Sequence, residues 1–321
     1  MHRLIPVVVR RRIVTVFAVL ACVYASAGAQ SRSNEDAADA HVDPSPTVRP
    51  PASMAELTIP SHGARMNGIM YLAAGAGPHP IVIFLHGYPG NERNLDLAQA
   101  VRRAGYDALY VDYRGMWGSG GTFSFAHGLE DAQAILSWVR APGNVAKYHI
   151  DAKRIALVGH SFGGWLALMS ADSQPPAVCV AGVAAWNVGA AAKRFDAHPD
   201  ERASNLSYLR ATTDAASGPV RGSGDALLNE MVTNANAWDY LTRASSFGDR
   251  ALLLIAASRD TPDEGIAMHK EMEAAVRRAG GHLVQMVQYE DDHPFSSHRL
   301  ALADLVVQWL RTDCASTQPG R

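Results

Sequence analysis

The chain has 321 residues, of which 48% are hydrophobic and 19% charged, and its formal net charge is −2. This composition places it among ordinary soluble proteins able to bury a sizeable core, and the length admits one large α/β domain or two small ones. No long basic run lies outside the extreme N-terminus, so nothing in the charge calls for a nucleic-acid partner.

At the N-terminus, arginines at 10–12 precede the apolar run IVTVFAVLACVYA and the small-residue triplet Ala27-Gly28-Ala29. This order of basic, apolar and small residues predicts a secretory signal peptide over 1–29, hence an exported, periplasmic or secreted protein. Two other readings stay open, an uncleaved anchor helix and a lipid-attachment box at Val19-Leu20-Ala21-Cys22, which would tie the chain to a membrane. Cleavage after Ala29 would take Arg3, Arg10, Arg11 and Arg12 and no acid, leaving a mildly acidic mature chain. It would also leave Cys179 and Cys314, which could pair in an oxidising compartment but lie far apart in the sequence, one in a core strand and one near the C-terminus, so that two free thiols are the favoured reading. Residues 30–53 are polar and proline-bearing and read as a disordered tether.

From residue 54 to 313, short apolar runs alternate with helical patterns, the signature of strands joined by crossover helices in a mostly parallel sheet. Strands are predicted at 54–59, 65–72, 80–85, 107–112, 153–158, 178–185, 250–257 and 283–289. Helices are predicted at 92–104, 127–140, 163–172, 263–279 and 298–311, and 314–321 forms a C-terminal tail. The runs PIVIFLHG, RIALVG and ALLLIAAS lack polar alternation, as strands buried on both faces should. Too few residues join the first two strands for a crossover, so they should form an antiparallel edge. Between about 186 and 247 no buried-strand run occurs. That interval, with its SGPVRGSG segment, reads as a cap inserted between two core strands, and Tyr208 and Trp238 as aromatics near a pocket or in ordinary packing.

Residues 158–165, VGHSFGGW, put a serine between glycines where a strand turns sharply into a helix. A Cβ at 159 or 163 would collide with the adjoining strand or helix, and the strained turn exposes the Ser161 hydroxyl at the helix N-terminus. With HGYPG at 86–90 and DYRGMWGSGG at 112–121, this elbow resembles the α/β-hydrolase superfamily, in particular prolyl-oligopeptidase-type catalytic domains and the single-domain esterases related to them. The resemblance covers about 54–312. It implies an α/β-hydrolase fold, a mostly parallel eight-stranded sheet with helices on both faces.

A serine hydroxyl is a weak nucleophile and needs a base, and the base an orienting carboxylate. The family's chain order implies Ser161, then an acid after the next-to-last strand, then a histidine after the last one. ALLLIAASRDTPDEG supplies Asp260, with Asp263 and Glu264 read as acids in the first turn of the following helix. HLVQMVQYEDDHPFSSH supplies His293 as the base, with His298 at the start of the last helix. Oxyanion donors are expected in the backbone amides of Tyr88 and Phe162. His86 and His160 should hold their loops, and Asp112 and Arg114 are scaffold. Asp291 and Asp292 adjoin His293 but read as solvated, no second histidine has ligand spacing, and neither a metal nor a cofactor is expected.

The predicted activity is a serine hydrolase cleaving a small-molecule carboxylic ester through an acyl-enzyme. Only a short tether precedes the domain, which weighs against the alternative of a peptidase or aminoacyl amidase with a filtering propeller. A non-catalytic binding module and acyl transfer to an alcohol remain further alternatives.

Overall fold

The computed structural model describes residues 40–173, 177, 179–213 and 218–317; the predicted signal peptide and residues 30–39 of the predicted tether lie outside the described residues. Eight strands are present: β1 (Ser53–Ser61), β2 (Ala64–Leu72), β3 (His79–Leu85), β4 (Asp107–Val111), β5 (Ile150–His160), β6 (Cys179–Val183), β7 (Ala251–Ala257) and β8 (Val284–Tyr289). They form one sheet in the order β1-β2-β4-β3-β5-β6-β7-β8. β1 and β2 pair antiparallel, as does β2 with β4, and every pairing from β4 through β8 is parallel.

The helices are α1 (Leu95–Arg103), α2 (Phe125–Arg140), α3 (Pro142–Tyr148), α4 (Phe162–Met169), α5 (Val188–Arg194), α6 (Pro199–Thr213), α7 (Gly224–Thr233), α8 (Ile266–Arg278), α9 (Arg299–Arg311) and α10 (Asp313–Ser316). Alternate residues of each central strand serve opposite faces. Ile81, Ile83 and Leu85 of β3 join a core with Ile135 of α2 and Leu166 of α4, while Val82 and Phe84 join a second core with Val101 of α1 and Val306 of α9. Both faces are therefore covered, which is why the central strands read as unbroken apolar runs. α3 was not predicted: PGNVAKY carries no buried residue, so it lacks an apolar periodicity to detect.

The expectation of two free thiols is overturned. Cys179 at the start of β6 and Cys314 in α10 form a disulfide across 135 residues of chain, their Cα atoms 5.5 Å apart. Sequence distance hid the pairing, because α9 runs back over the sheet and returns the C-terminus to the same core. Closing so long a loop lowers the entropy of the unfolded chain, so Cys314→Ser should cost about 2–4 kcal/mol, read as a lower urea midpoint. The same fall is expected on adding reductant to the unaltered protein, and an unmoved midpoint in both would contradict the bridge.

Candidate active site

Ser161 stands between β5 and α4 with φ 56° and ψ −120°, a conformation that side chains rarely adopt and that costs on the order of 1–3 kcal/mol. The turn is held from several directions. Ser161 donates its amide to Val183 (2.9 Å), and its carbonyl accepts from the amides of Trp165 (3.1 Å) and Trp186 (3.0 Å). The flanking glycines are sterically required, since a Cβ at Gly163 would overlap the Leu85 carbonyl of β3 and one at Gly159 the Gly163 carbonyl of α4. Phe162 is the first residue of α4, so its amide belongs to the first turn, which has no acceptor within the helix. The loop after β3 runs against the same point: a Cβ at Gly87 would lie 3.0 Å from that of Ser161, and Tyr88 follows directly.

Asp260 and His293 are brought together by extension of the β7–β8 pairing into the loops beyond. Ser258 donates its amide to Tyr289 (3.0 Å) and Arg259 to Asp291 (3.1 Å). His293 Nδ1 then meets Asp260 Oδ1 at 2.9 Å and Oδ2 at 3.0 Å, with the carboxylate only 3% exposed. Burial works against a charge on His293, but the hydrogen bond it donates to Asp260 and the charges of Glu264, Asp260 and Asp292 outweigh it and raise its pKa above the ordinary value. His160, as expected, holds a loop: its Nε2 donates to the His293 carbonyl at 3.0 Å, and burial lowers its pKa to about 3. His86 is likewise buried, with its pKa lowered to about 4, and its Nδ1 donates to the Gly87 carbonyl at 2.7 Å.

Three acids depart from their expected places. Asp291 is buried rather than solvated, accepting from His298 Nδ1 (2.7 Å) and from the amides of Asp292 (2.9 Å) and Ser297 (3.0 Å), and so shapes the loop that presents His293. Asp263 and Glu264 are not first-turn acids of a helix, because α8 begins only at Ile266, after Gly265. Asp263 pairs with Arg194 of α5 at 2.8 Å.

Glu264 turns into the site instead. Its Oε1 accepts the Ser161 hydroxyl at 3.3 Å and lies 3.8 Å from His293 Nε2, while Oε2 accepts from Thr261 Oγ1 at 2.8 Å. Burial, with Asp260 nearby, raises its pKa to about 7 against the opposing pull of His293. In the sequence, P-D-E-G after a strand is indistinguishable from a helix start. Ligand atoms of Asp260, Glu264 and His293 lie within 4.8 Å of one another, enough to bracket a cation in principle, but two of the three are already engaged as the His–Asp pair.

These groups open into a cavity of about 590 Å³, within the usual range for small-molecule sites. Ser161, His293, Glu264 and Tyr88 line it from the sheet side; Arg194, Phe195, Glu201 and Tyr208 line it from the segment between β6 and β7. Tyr208 is thus a pocket residue, 49% exposed, whereas Trp238 is buried against Trp165.

Comparison with known proteins agrees with this architecture. Curated relatives from two Mycobacterium tuberculosis strains, both uncharacterized, are 32% identical over 119 residues, which is 37% of this chain and 41% of theirs. The chain thus matches about two fifths of the length of those relatives. Among solved structures, an esterase of Pyrococcus furiosus superposes with a TM-score of 0.58 at 18% identity, covering 81% of this chain and 91% of that one. Est1E of Butyrivibrio proteoclasticus, solved with ferulic acid bound, gives 0.59 at 14% identity, covering 81% and 99%. A dienelactone hydrolase of Anabaena variabilis gives 0.52 at 15%, covering 81% and 97%. At these identities the likeness is one of fold. The sequence profile of the alpha/beta hydrolase family matches residues 82–308, and the chain, with its sheet order and serine elbow, belongs to that family.

Proposed function

We propose that the protein is a serine hydrolase that cleaves small carboxylic esters through an acyl-enzyme. Ser161 attacks the ester carbonyl, His293 takes the hydroxyl proton through Nε2, and Asp260 orients the imidazole and offsets the charge it gains. The amides of Tyr88 and Phe162 receive the oxyanion. The alcohol leaves with a proton from His293, which then draws a proton from water as that water attacks the acyl group.

The observation that carries this reading is the His293–Asp260 contact of 2.9 and 3.0 Å at the wall of the cavity that also holds Ser161. The hydroxyl donates to Glu264 Oε1, an oxygen that His293 Nε2 also approaches, so both candidate groups flank one carboxylate. Attack by Ser161 requires its hydroxyl to leave Glu264 Oε1 for His293 Nε2.

Export through the N-terminal segment is part of the same proposal, supported by the disulfide, which persists most readily in an oxidising compartment. Among the described residues no helix is long and apolar enough to cross a membrane.

The test is hydrolysis of p-nitrophenyl acetate by the purified protein across pH. His293 must be neutral to accept a proton, and its pKa is raised, so kcat/KM should climb with pH through a region above the ordinary histidine value. Glu264→Gln removes one of the charges that raises it, so the climb should begin at lower pH. No hydrolysis at any pH would defeat the ester reading, and a climb displaced to higher pH in the variant would defeat the electrostatic one.

A further inference from the structure

The cavity wall carries an imbalance that ester cleavage does not require. Among the described residues lining it, three carboxylates, Glu201, Asp263 and Glu264, face a single guanidinium, that of Arg194. Arg194 is consumed by Asp263 at 2.8 Å and Glu201 at 2.5 Å. Glu264 is left with no cationic partner within 4 Å among the described residues except the His293 ring at 3.8 Å. Asn205 lines the same cavity, and its Oδ1 is buried with no hydrogen-bond partner among the described residues. Glu264 accepts hydrogen bonds from Ser161 and Thr261 but lacks a full countercharge, and burying a carboxylate in that state is costly unless a ligand supplies a cation. The remaining wall includes the rings of Tyr88, Trp186 and Tyr208, whose faces attract cations. Acceptors, excess negative charge and aromatic faces together describe a receptor for an ammonium group.

The position of Glu264 sharpens this. Its Oε1 is 3.3 Å from the Ser161 hydroxyl, so whatever it recognises sits beside the reacting carbonyl. A bare carboxylate there opposes the negative charge that develops on the oxyanion. An ammonium carried by the substrate cancels that opposition and is itself drawn into the site.

We propose that Glu264 makes the cavity selective for esters that carry an ammonium group a few bonds from the scissile carbonyl, an inference that rests on the ester-hydrolase reading above. Glu264 is then a specificity residue, and Arg194 ties the other two acids away from the substrate.

The experiment uses two isosteric pairs at about pH 7.5, where both amines are mainly charged. Ethyl β-alaninate is compared with ethyl butyrate for an ammonium on the acyl side, and 2-(dimethylamino)ethyl acetate with 3-methylbutyl acetate for one on the alcohol side. Acid release gives kcat/KM, and fluorophosphonate labelling of the same preparation reports whether the serine is live. The expected result is a preference for the amine of about tenfold in at least one pair, collapsing by about tenfold in Glu264→Gln. A role confined to holding His293 would change both members of a pair alike and leave the ratio untouched. Labelling without an amine preference in either pair, or a preference that survives in Glu264→Gln, overturns the ammonium selection alone. Absence of both labelling and turnover overturns the hydrolase reading and this inference with it. The preference of the unaltered protein is read independently of the variant, so a variant that fails to fold does not shelter the proposal.

Discussion

Ser161→Ala is expected to lower kcat on p-nitrophenyl acetate by roughly 10⁴ to 10⁶, the range seen when a nucleophile that acts with its base is deleted. The size follows from the geometry. His293 and the amides of the elbow remain, but the proton that His293 would accept and the oxygen that would attack are gone together, so only binding and oxyanion contacts are left to accelerate attack by water. The fold should tolerate the change. The strain at φ 56° is a property of the backbone and is held by the amide of Ser161 and its carbonyl, none of which the substitution touches. The urea midpoint should therefore stay within about 1 kcal/mol of the parent. Activity within tenfold of the parent would remove Ser161 from the chemistry.

Asp260→Asn should be the second largest loss, roughly 10³ to 10⁴ in kcat. An amide at 260 can turn an N–H toward Nδ1 of His293, which then carries its proton on Nε2 and has no lone pair for the serine. Asp263→Asn, by contrast, only weakens the pair with Arg194, and its effect on kcat should stay below about tenfold. The two residues are three apart in sequence and both acidic, so the ranking discriminates sharply. If Asp263→Asn were the more damaging, the carboxylate that orients the imidazole would have to be reassigned, against the 2.9 and 3.0 Å contacts of Asp260.

Much of the architecture was legible because the parallel core writes itself in unbroken apolar runs. PIVIFL, RIALV and ALLLIAA lie within β3, β5 and β7, and the antiparallel β1–β2 edge followed from a connection too short for a crossover. The elbow was legible for a steric reason, since glycines at 159 and 163 answer to a close approach that only one backbone path produces. Asp260 and His293, which meet at 2.9 and 3.0 Å, are singled out by the order of elements rather than by their own sequence surroundings.

What stayed hidden depends on the direction a loop takes after its strand. Glu264 sits two residues before α8, and nothing in P-D-E-G distinguishes a carboxylate that faces the reacting hydroxyl from one that decorates a helix start. Asp291 looked solvated because DD in a loop usually is, yet the turn at 291–298 folds back so that one side chain serves the amides of Asp292 and Ser297 and the His298 ring. The Cys179–Cys314 bridge was misjudged for the same reason: separation along the chain says little once a final helix returns across the sheet. Local patterns report burial and period, whereas Glu264 and the disulfide depend on contacts distant in sequence and Asp291 on the path its own loop takes.

The most direct test of the central claim is to treat the purified protein with a fluorophosphonate, digest it, and locate the adduct by mass spectrometry. A single adduct on the peptide containing Ser161, lost in Ser161→Ala and slowed in Asp260→Asn, is the result that an imidazole-activated hydroxyl at this elbow requires. An adduct on another residue, or labelling of Ser161 that is indifferent to Asp260, would contradict it.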